Sequence, residues 1–202
     1  FGPASSGDLD GDGRNELIIA ETEMSSNGNG RVFIFRGGGL PEEIVDLASP
    51  TTPTLFISGV DPGSVFGIGF KVADFDDDGR KDLLVASMAT GITTATYPWG
   101  AIFVFRGKQD FFSISSLEAT SADYIIKGND ADHRASIYFD LADINNDSRK
   151  DLIIGGDGCK RPGQVFGAAG RIFVLFGRQN WPQNIILNEA VSDVQIYGEG
   201  KA

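Results

Sequence analysis

The feature that most constrains this chain is an acidic stretch that occurs three times and runs each time into an apolar one. Asp8 opens "DLDGDGRNELIIAE", Asp74 opens "DFDDDGRKDLLVAS" and Asp143 opens "DINNDSRKDLIIGG", at spacings of 66 and 69 residues. Other features keep step with these loops. Apolar runs follow at Leu17–Ala20, Leu83–Ala86 and Leu152–Ile154, and the Gly-led segments "GRVFIFRG", "GAIFVFRG" and "GRIFVLFG" begin at Gly30, Gly100 and Gly170. Each unit closes on an apolar stretch ending in Gly: "TLFISG", "DYIIKG" or "VQIYG". Four matched features in register, three times over, define an internal repeat with units at 1–65, 66–134 and 135–202.

Each unit reads as four short strands separated by Gly, Asp, Asn and Pro turns. Runs such as "VFIF" and "IFVF" are apolar at every position. A sheet with one wet face would alternate, so both faces of these strands are expected to be covered. Only "LPEEIVDL" and "ISSLEA", before the last strand of units one and two, have the composition for a helical turn. Both are too short for the crossover helix of a parallel sheet. Four-stranded units stacked face to face describe an all-β fold of β-propeller blades, a stacked sandwich of other topology being the alternative.

Numbered from its first Asp, each loop places side-chain oxygens at positions 1, 3, 5 and 9. These are Asp8, Asp10, Asp12 and Glu16; Asp74, Asp76, Asp78 and Asp82; and Asp143, Asn145, Asp147 and Asp151. Alternate positions let a curled backbone aim successive oxygens at one centre. Position 6 is Gly13 or Gly79, suited to a sharp turn with positive φ. Position 7, Arg14, Arg80 or Arg149, offers its carbonyl while its side chain points away. Hard oxygen donors without His or Cys select Ca²⁺ over zinc or copper, and Mg²⁺ demands a stricter octahedron. Up to three Ca²⁺ ions are expected, although Asn145 and Ser148 make the third loop depart from the pattern. Of 28 acidic residues, 11 occupy these positions, a clustering that repels itself unless a cation intervenes. Polar turns held by Asx hydrogen bonds are the metal-free alternative.

An EF-hand opens in the same way, but it needs a bidentate Glu at position 12 and flanking helices. Position 12 here is Ile19, Val85 or Ile154, inside an apolar strand, which excludes it. Asn146-Asp147-Ser148 forms a glycosylation sequon, but a residue locked in a metal loop is a poor acceptor.

These residues resemble the FG-GAP repeats of integrin α-subunit propellers and of related surface proteins in bacteria and protists. Phe1-Gly2 and Phe66-Gly67 correspond to the opening "FG". The third unit has Ala135-Ser136 there, and the "GAP" positions are degenerate at Ala20-Glu21-Thr22, Ala86-Ser87-Met88 and Gly155-Gly156-Asp157. The resemblance implies a seven-bladed propeller with structural Ca²⁺ in hairpin loops on one rim and ligand binding on the other. Three units would then be a portion of a larger propeller, or three blades completed by another copy of the chain.

The formal charge of −11 argues against nucleic-acid partners or an anionic membrane surface. No apolar run approaches the roughly 18 residues of a membrane span. The lone His133 lies in a polar turn, the single Cys159 can form no internal disulfide, and no nucleophile motif is present, so no enzymatic activity is expected. The expected role is an extracellular adhesion or recognition module with a protein or glycan ligand. Contact loops would be Met88–Gly100 and Gly156–Gly170, and Trp99 and Trp181 would serve as interface anchors or core residues. The alternatives are a building block of a surface appendage or filament, and an accessory propeller of a secreted hydrolase related to the glycan-specific phospholipases D.

Overall fold

A computed structural model describes residues 2–22, 28–39, 54–61, 63, 65–88, 99–128, 138–156, 170–188 and 191–199. The first repeat supplies β1 (Ala4–Gly7), β2 (Glu16–Glu21), β3 (Arg31–Phe35) and β4 (Leu55–Ser58). The second supplies β5 (Gly69–Ala73), β6 (Asp82–Ser87), β7 (Ala101–Phe105), β8 (Ser116–Glu118) and β9 (Tyr124–Lys127). The third supplies β10 (Phe139–Ala142), β11 (Asp151–Gly156), β12 (Arg171–Leu175), β13 (Asn184–Ile186) and β14 (Val194–Tyr197). Each repeat builds one antiparallel meander: β1-β2-β3-β4, then β5-β6-β7-β9, then β10-β11-β12-β14. This is the all-β architecture of stacked propeller blades expected from the repeat.

The sheets lie face to face because their strands are apolar on both sides. β6 and β7 are buried along their whole length. Ile18, Val32, Ile34 and Ile57 of the first sheet pack on Phe66, Val85, Phe103 and Phe105 of the second. Leu84, Ile102, Val104 and Ile126, on the second sheet's other face, pack on Leu152, Ile154, Phe173 and Leu175 of the third. Burying each such Ile or Phe contributes about 1.5–3 kcal/mol, so these two seams hold most of the apolar stabilisation.

The "FG" pair has a packing role. Phe66 is fully buried in the first seam and meets Phe103 edge-on at 5.5 Å. Gly67 takes φ +88°, and a Cβ there would stand 3.0 Å from both Ala20 Cβ and Val32 Cγ2. Backbone conformation and close approach both require glycine.

One expectation needs correction. "ISSLEA" forms strand β8 and only then a single 3₁₀ turn, Ala119–Ser121. β8 leaves its own repeat and pairs in parallel with β4 of the preceding sheet, Ile57 opposite Leu117. β13 does the same to β9, Ile126 opposite Ile185. The first two sheets therefore have five strands, the fifth lent by the next repeat. "LPEEIVDL", the first "FG" position at Phe1, Ala135-Ser136, Asp157, His133 and Cys159 lie outside the described residues, as does most of both candidate contact loops.

Candidate metal centres

Each acidic loop connects the first two strands of its sheet. The pairs Gly7–Glu16, Ala73–Asp82 and Ala142–Asp151 close the three hairpins, so position 9 is also the first residue of an inner strand. Two residues of each loop are left-handed. Position 6 is Gly13 or Gly79 at φ +87°, as its type suggests, and in the third loop Ser148 takes +72°. Position 4 is the second, with Gly11 at +74°, Asp77 at +59° and Asn146 at +61°. Its signal was residue type alone, since Gly, Asp and Asn are the residues that tolerate this region.

The three loops share one internal scaffold. The position-1 carboxylate accepts the backbone N–H of position 6 at 3.0, 3.0 and 2.9 Å, through Asp8, Asp74 and Asp143. The position-5 carboxylate accepts that of position 7 at 2.9 Å in every loop. These bonds curl the backbone so that positions 1, 3 and 5 converge. Asp8, Asp10 and Asp12 bring one carboxylate oxygen each within 4.8 Å of the others, and Asp74, Asp76 and Asp78 do the same. The third loop forms no such group among the described residues. Asn145 stands in place of a carboxylate and donates its amide to Asp147 at 3.0 Å, so the loop is braced from within.

A cation fits the first two clusters on the state of their central residues. Asp10 and Asp76 are buried, and the Oδ1 of Asp76 has neither solvent nor a hydrogen-bond partner. Burial pushes the Asp76 carboxyl above its usual range, although Tyr124 and Arg106 draw it back. Tyr124 donates its hydroxyl to Asp76 Oδ2 at 3.1 Å, and its own pKa is pushed up to about 12 by burial and by that carboxylate. A buried acceptor oxygen with no donor is costly, and a divalent cation on the oxygen-only side would satisfy it.

An arginine flanks each of these two clusters. Arg36 meets Asp10 at 2.6 Å, and Arg106 contacts Asp76 through Nε and Asp78 through a nitrogen at 2.7 Å. Each guanidinium meets an oxygen of the buried central carboxylate and offsets part of the charge. Phe176 stands at the matching place in the third repeat. The recurring "FRG" of "VFIFRG" and "IFVFRG" was the sequence signal for this partner.

Position 9 has a different occupation. Glu16 accepts the N–H of Leu9 at 2.6 Å and of Gly37 at 3.3 Å. Asp82 accepts those of Phe75 and Gly107 at 2.8 and 3.0 Å, and Asp151 those of Ile144 and Gly177, both at 2.9 Å. All three are fully buried, and neither Glu16 nor Asp82 joins the groups of converging oxygens. They are struts that tie the loop to the turn after the third strand. Burial pushes Glu16 up and Asp82 to about 7, with the Asp76 charge adding to the latter. The position-7 side chains do not serve their own clusters. Arg149 reaches the preceding loop instead, with Nε 3.2 Å from Asp77.

Residues 8–85 match the family model described as an FG-GAP-like repeat. Phosphatidylinositol-glycan-specific phospholipase D from Homo sapiens is 32% identical over 154 residues, covering 75% of this chain and 18% of that protein. The Rattus norvegicus enzyme of the same name is 29% identical over 198 residues, or 96% of this chain and 22% of its own length. Integrin alpha-IIb from Homo sapiens is 36% identical over 87 residues, 40% of this chain and 7% of the integrin. The chain thus spans about a fifth of the length of the phospholipases it matches.

Proposed function

Because this chain carries FG-GAP-like repeat sequence folded as blade-like sheets, we propose that it is a calcium-stabilised, non-catalytic propeller module working outside the cell in adhesion or recognition. The observation that carries this reading is the pair of three-carboxylate clusters, each built around a buried Asp. Oxygen donors alone favour Ca²⁺. Sites of roughly 10⁻⁴–10⁻³ M affinity are filled by extracellular calcium and stay empty in a resting cytosol. Ligands of protein or glycan type would meet the loops between strands. No helix among the described residues is long and apolar enough to cross a membrane.

A second reading has its own support. The similarity to phospholipases D extends along most of this chain but over only about a fifth of each enzyme. That favours an accessory propeller beside a catalytic region, with the propeller positioning the hydrolase and taking no part in its chemistry.

Calcium titration followed by heat unfolding tests the proposal. Calcium should raise the melting temperature by mass action on the folded state, with two ions bound per chain. Asp10→Ala and Asp76→Ala should each remove one ion, whereas Asn145→Ala leaves the count unchanged. A melting curve identical in calcium and in excess chelator would refute the metal assignment.

A further inference from the structure

The two candidate centres are not copies of each other, and the difference lies in how the position-3 residue is held. In the first and third loops the backbone N–H of position 5 is shared between two acceptors. Asp12 donates to Asp8 at 3.1 Å and to Asp10 at 3.2 Å. Asp147 donates to Asp143 at 3.1 Å and to Asn145 at 3.0 Å. In the second loop Asp78 donates to Asp74 alone, at 3.1 Å. Asp76 takes no part in that bond. It is 2% exposed, and its Oδ1 is left buried without a donor.

The other oxygen of Asp76 shows what holds the carboxylate in this pose. Tyr124 donates its hydroxyl to Oδ2 at 3.1 Å, and the Arg106 Nε stands against the same oxygen. An arginine is common to both centres, since Arg36 pairs with Asp10 Oδ2 at 2.6 Å. The tyrosine is not. Register puts Tyr124 opposite Val104, at the place taken by Leu55 opposite Ile34 in the first sheet and by Val194 opposite Val174 in the third. Neither aliphatic side chain has a hydroxyl to offer. The Tyr124 ring is itself partly buried in the second seam, with its centroid 5.9 Å from that of Phe75 in the loop.

We propose, resting on the calcium reading above, that Tyr124 is a positioning residue that makes the second loop the tighter of the two cation sites. By engaging Oδ2, its hydroxyl keeps Oδ1 off the loop backbone and available to an ion. In the ion-free protein that oxygen bears the cost of burial without a donor, and a bound cation removes the cost. The first loop has no such cost to recover. Asp10 Oδ1 already accepts an amide and has to give that bond up to an ion, while its Oδ2 is taken by Arg36. A difference of this kind corresponds to about tenfold in affinity.

Calorimetric calcium titration of single-site variants tests this. Asp10→Ala keeps only the second centre, and Asp76→Ala only the first. The former should bind Ca²⁺ about tenfold more tightly. Adding Tyr124→Phe to Asp10→Ala should remove most of that advantage, and adding it to Asp76→Ala should change nothing. By NMR, the Asp78 amide proton of ion-free Tyr124→Phe should move downfield as Asp76 returns to it. A purely structural role for the ring would leave that signal in place. If Tyr124→Phe fails to fold, the two single-site variants still decide, since both retain Tyr124. Equal affinities or a tighter first centre would overturn the inference. So would a Tyr124→Phe effect equal at both centres, or an affinity gap or Asp78 signal that Tyr124→Phe leaves unchanged. No calcium binding in either single-site variant would overturn the calcium reading itself, and this inference with it.

Discussion

Asp82 shows how far a carboxylate's surroundings decide its role. The alternation of acidic positions places it among the metal ligands, yet both its oxygens are engaged by the backbone of Phe75 and Gly107. Spacing announces that an oxygen is present; burial and the neighbouring amides decide what it does, and those come from chain segments 7 residues before it and 25 after it. The convergence of positions 1, 3 and 5 was legible because it is local. The flanking Arg36 and Arg106 recur in the sequence as "FRG", but their pairing with the loop was not legible, since they enter from the end of the third strand. The raised Asp82 pKa sets a pH dependence. In metal-free protein the folded state keeps this proton up to about pH 7, whereas the unfolded chain loses it in the usual carboxylate range. Stability should therefore fall as pH rises from about 4 to about 7 and level off above. Urea midpoints in chelator would register the decline, and Asp82→Asn should flatten it. Asp151→Ala tests the strut away from any carboxylate cluster. With the acceptors of Ile144 and Gly177 gone, the loss should be about 2 kcal/mol or more, measured by denaturant unfolding.

At the scale of elements, the meanders were legible because apolar runs bounded by Gly and Asp leave few other options. The borrowed strands β8 and β13 were not. Three residues with one or two apolar side chains carry no usable period, and their partner is a strand in another repeat. Their worth differs along the chain. Ile185 is buried in the second seam, whereas Leu117 is only partly buried against the first. Ile185→Ala should cost about 2–4 kcal/mol and Leu117→Ala clearly less. Amide exchange at Tyr124–Lys127 should quicken in the Ile185 variant, which would separate loss of the strand from general weakening. Trp181 belongs to the same seam: it stacks on Phe75 at 4.7 Å, and its indole N–H donates to the Phe75 carbonyl at 3.4 Å. It is a core residue, one of the two roles its type allowed.

Across the whole molecule, the second sheet is the only one enclosed on both faces by described neighbours. A stack in which each unit touches only its neighbours behaves as a chain of coupled units. Local opening should then be rarest at the centre. Hydrogen exchange is expected to be slowest in β6 and β7, intermediate in β2 and β3, and fastest in β14. Equal protection across the three sheets would mean that something else encloses the ends.

The lending of β8 and β13 gives this stack a direction, as with overlapping roof tiles. A cut at Phe66, where the sequence unit begins, would leave the upstream tile short of its outermost lath and the downstream one with a lath reaching for nothing. Gene duplication of a whole unit would preserve the overlap automatically, since every inserted tile both lends and receives. Excising or grafting a single unit therefore breaks a pairing wherever the junction falls, since a cut after the lent strand, near residues 119–122, would part β7 from β9 of one sheet.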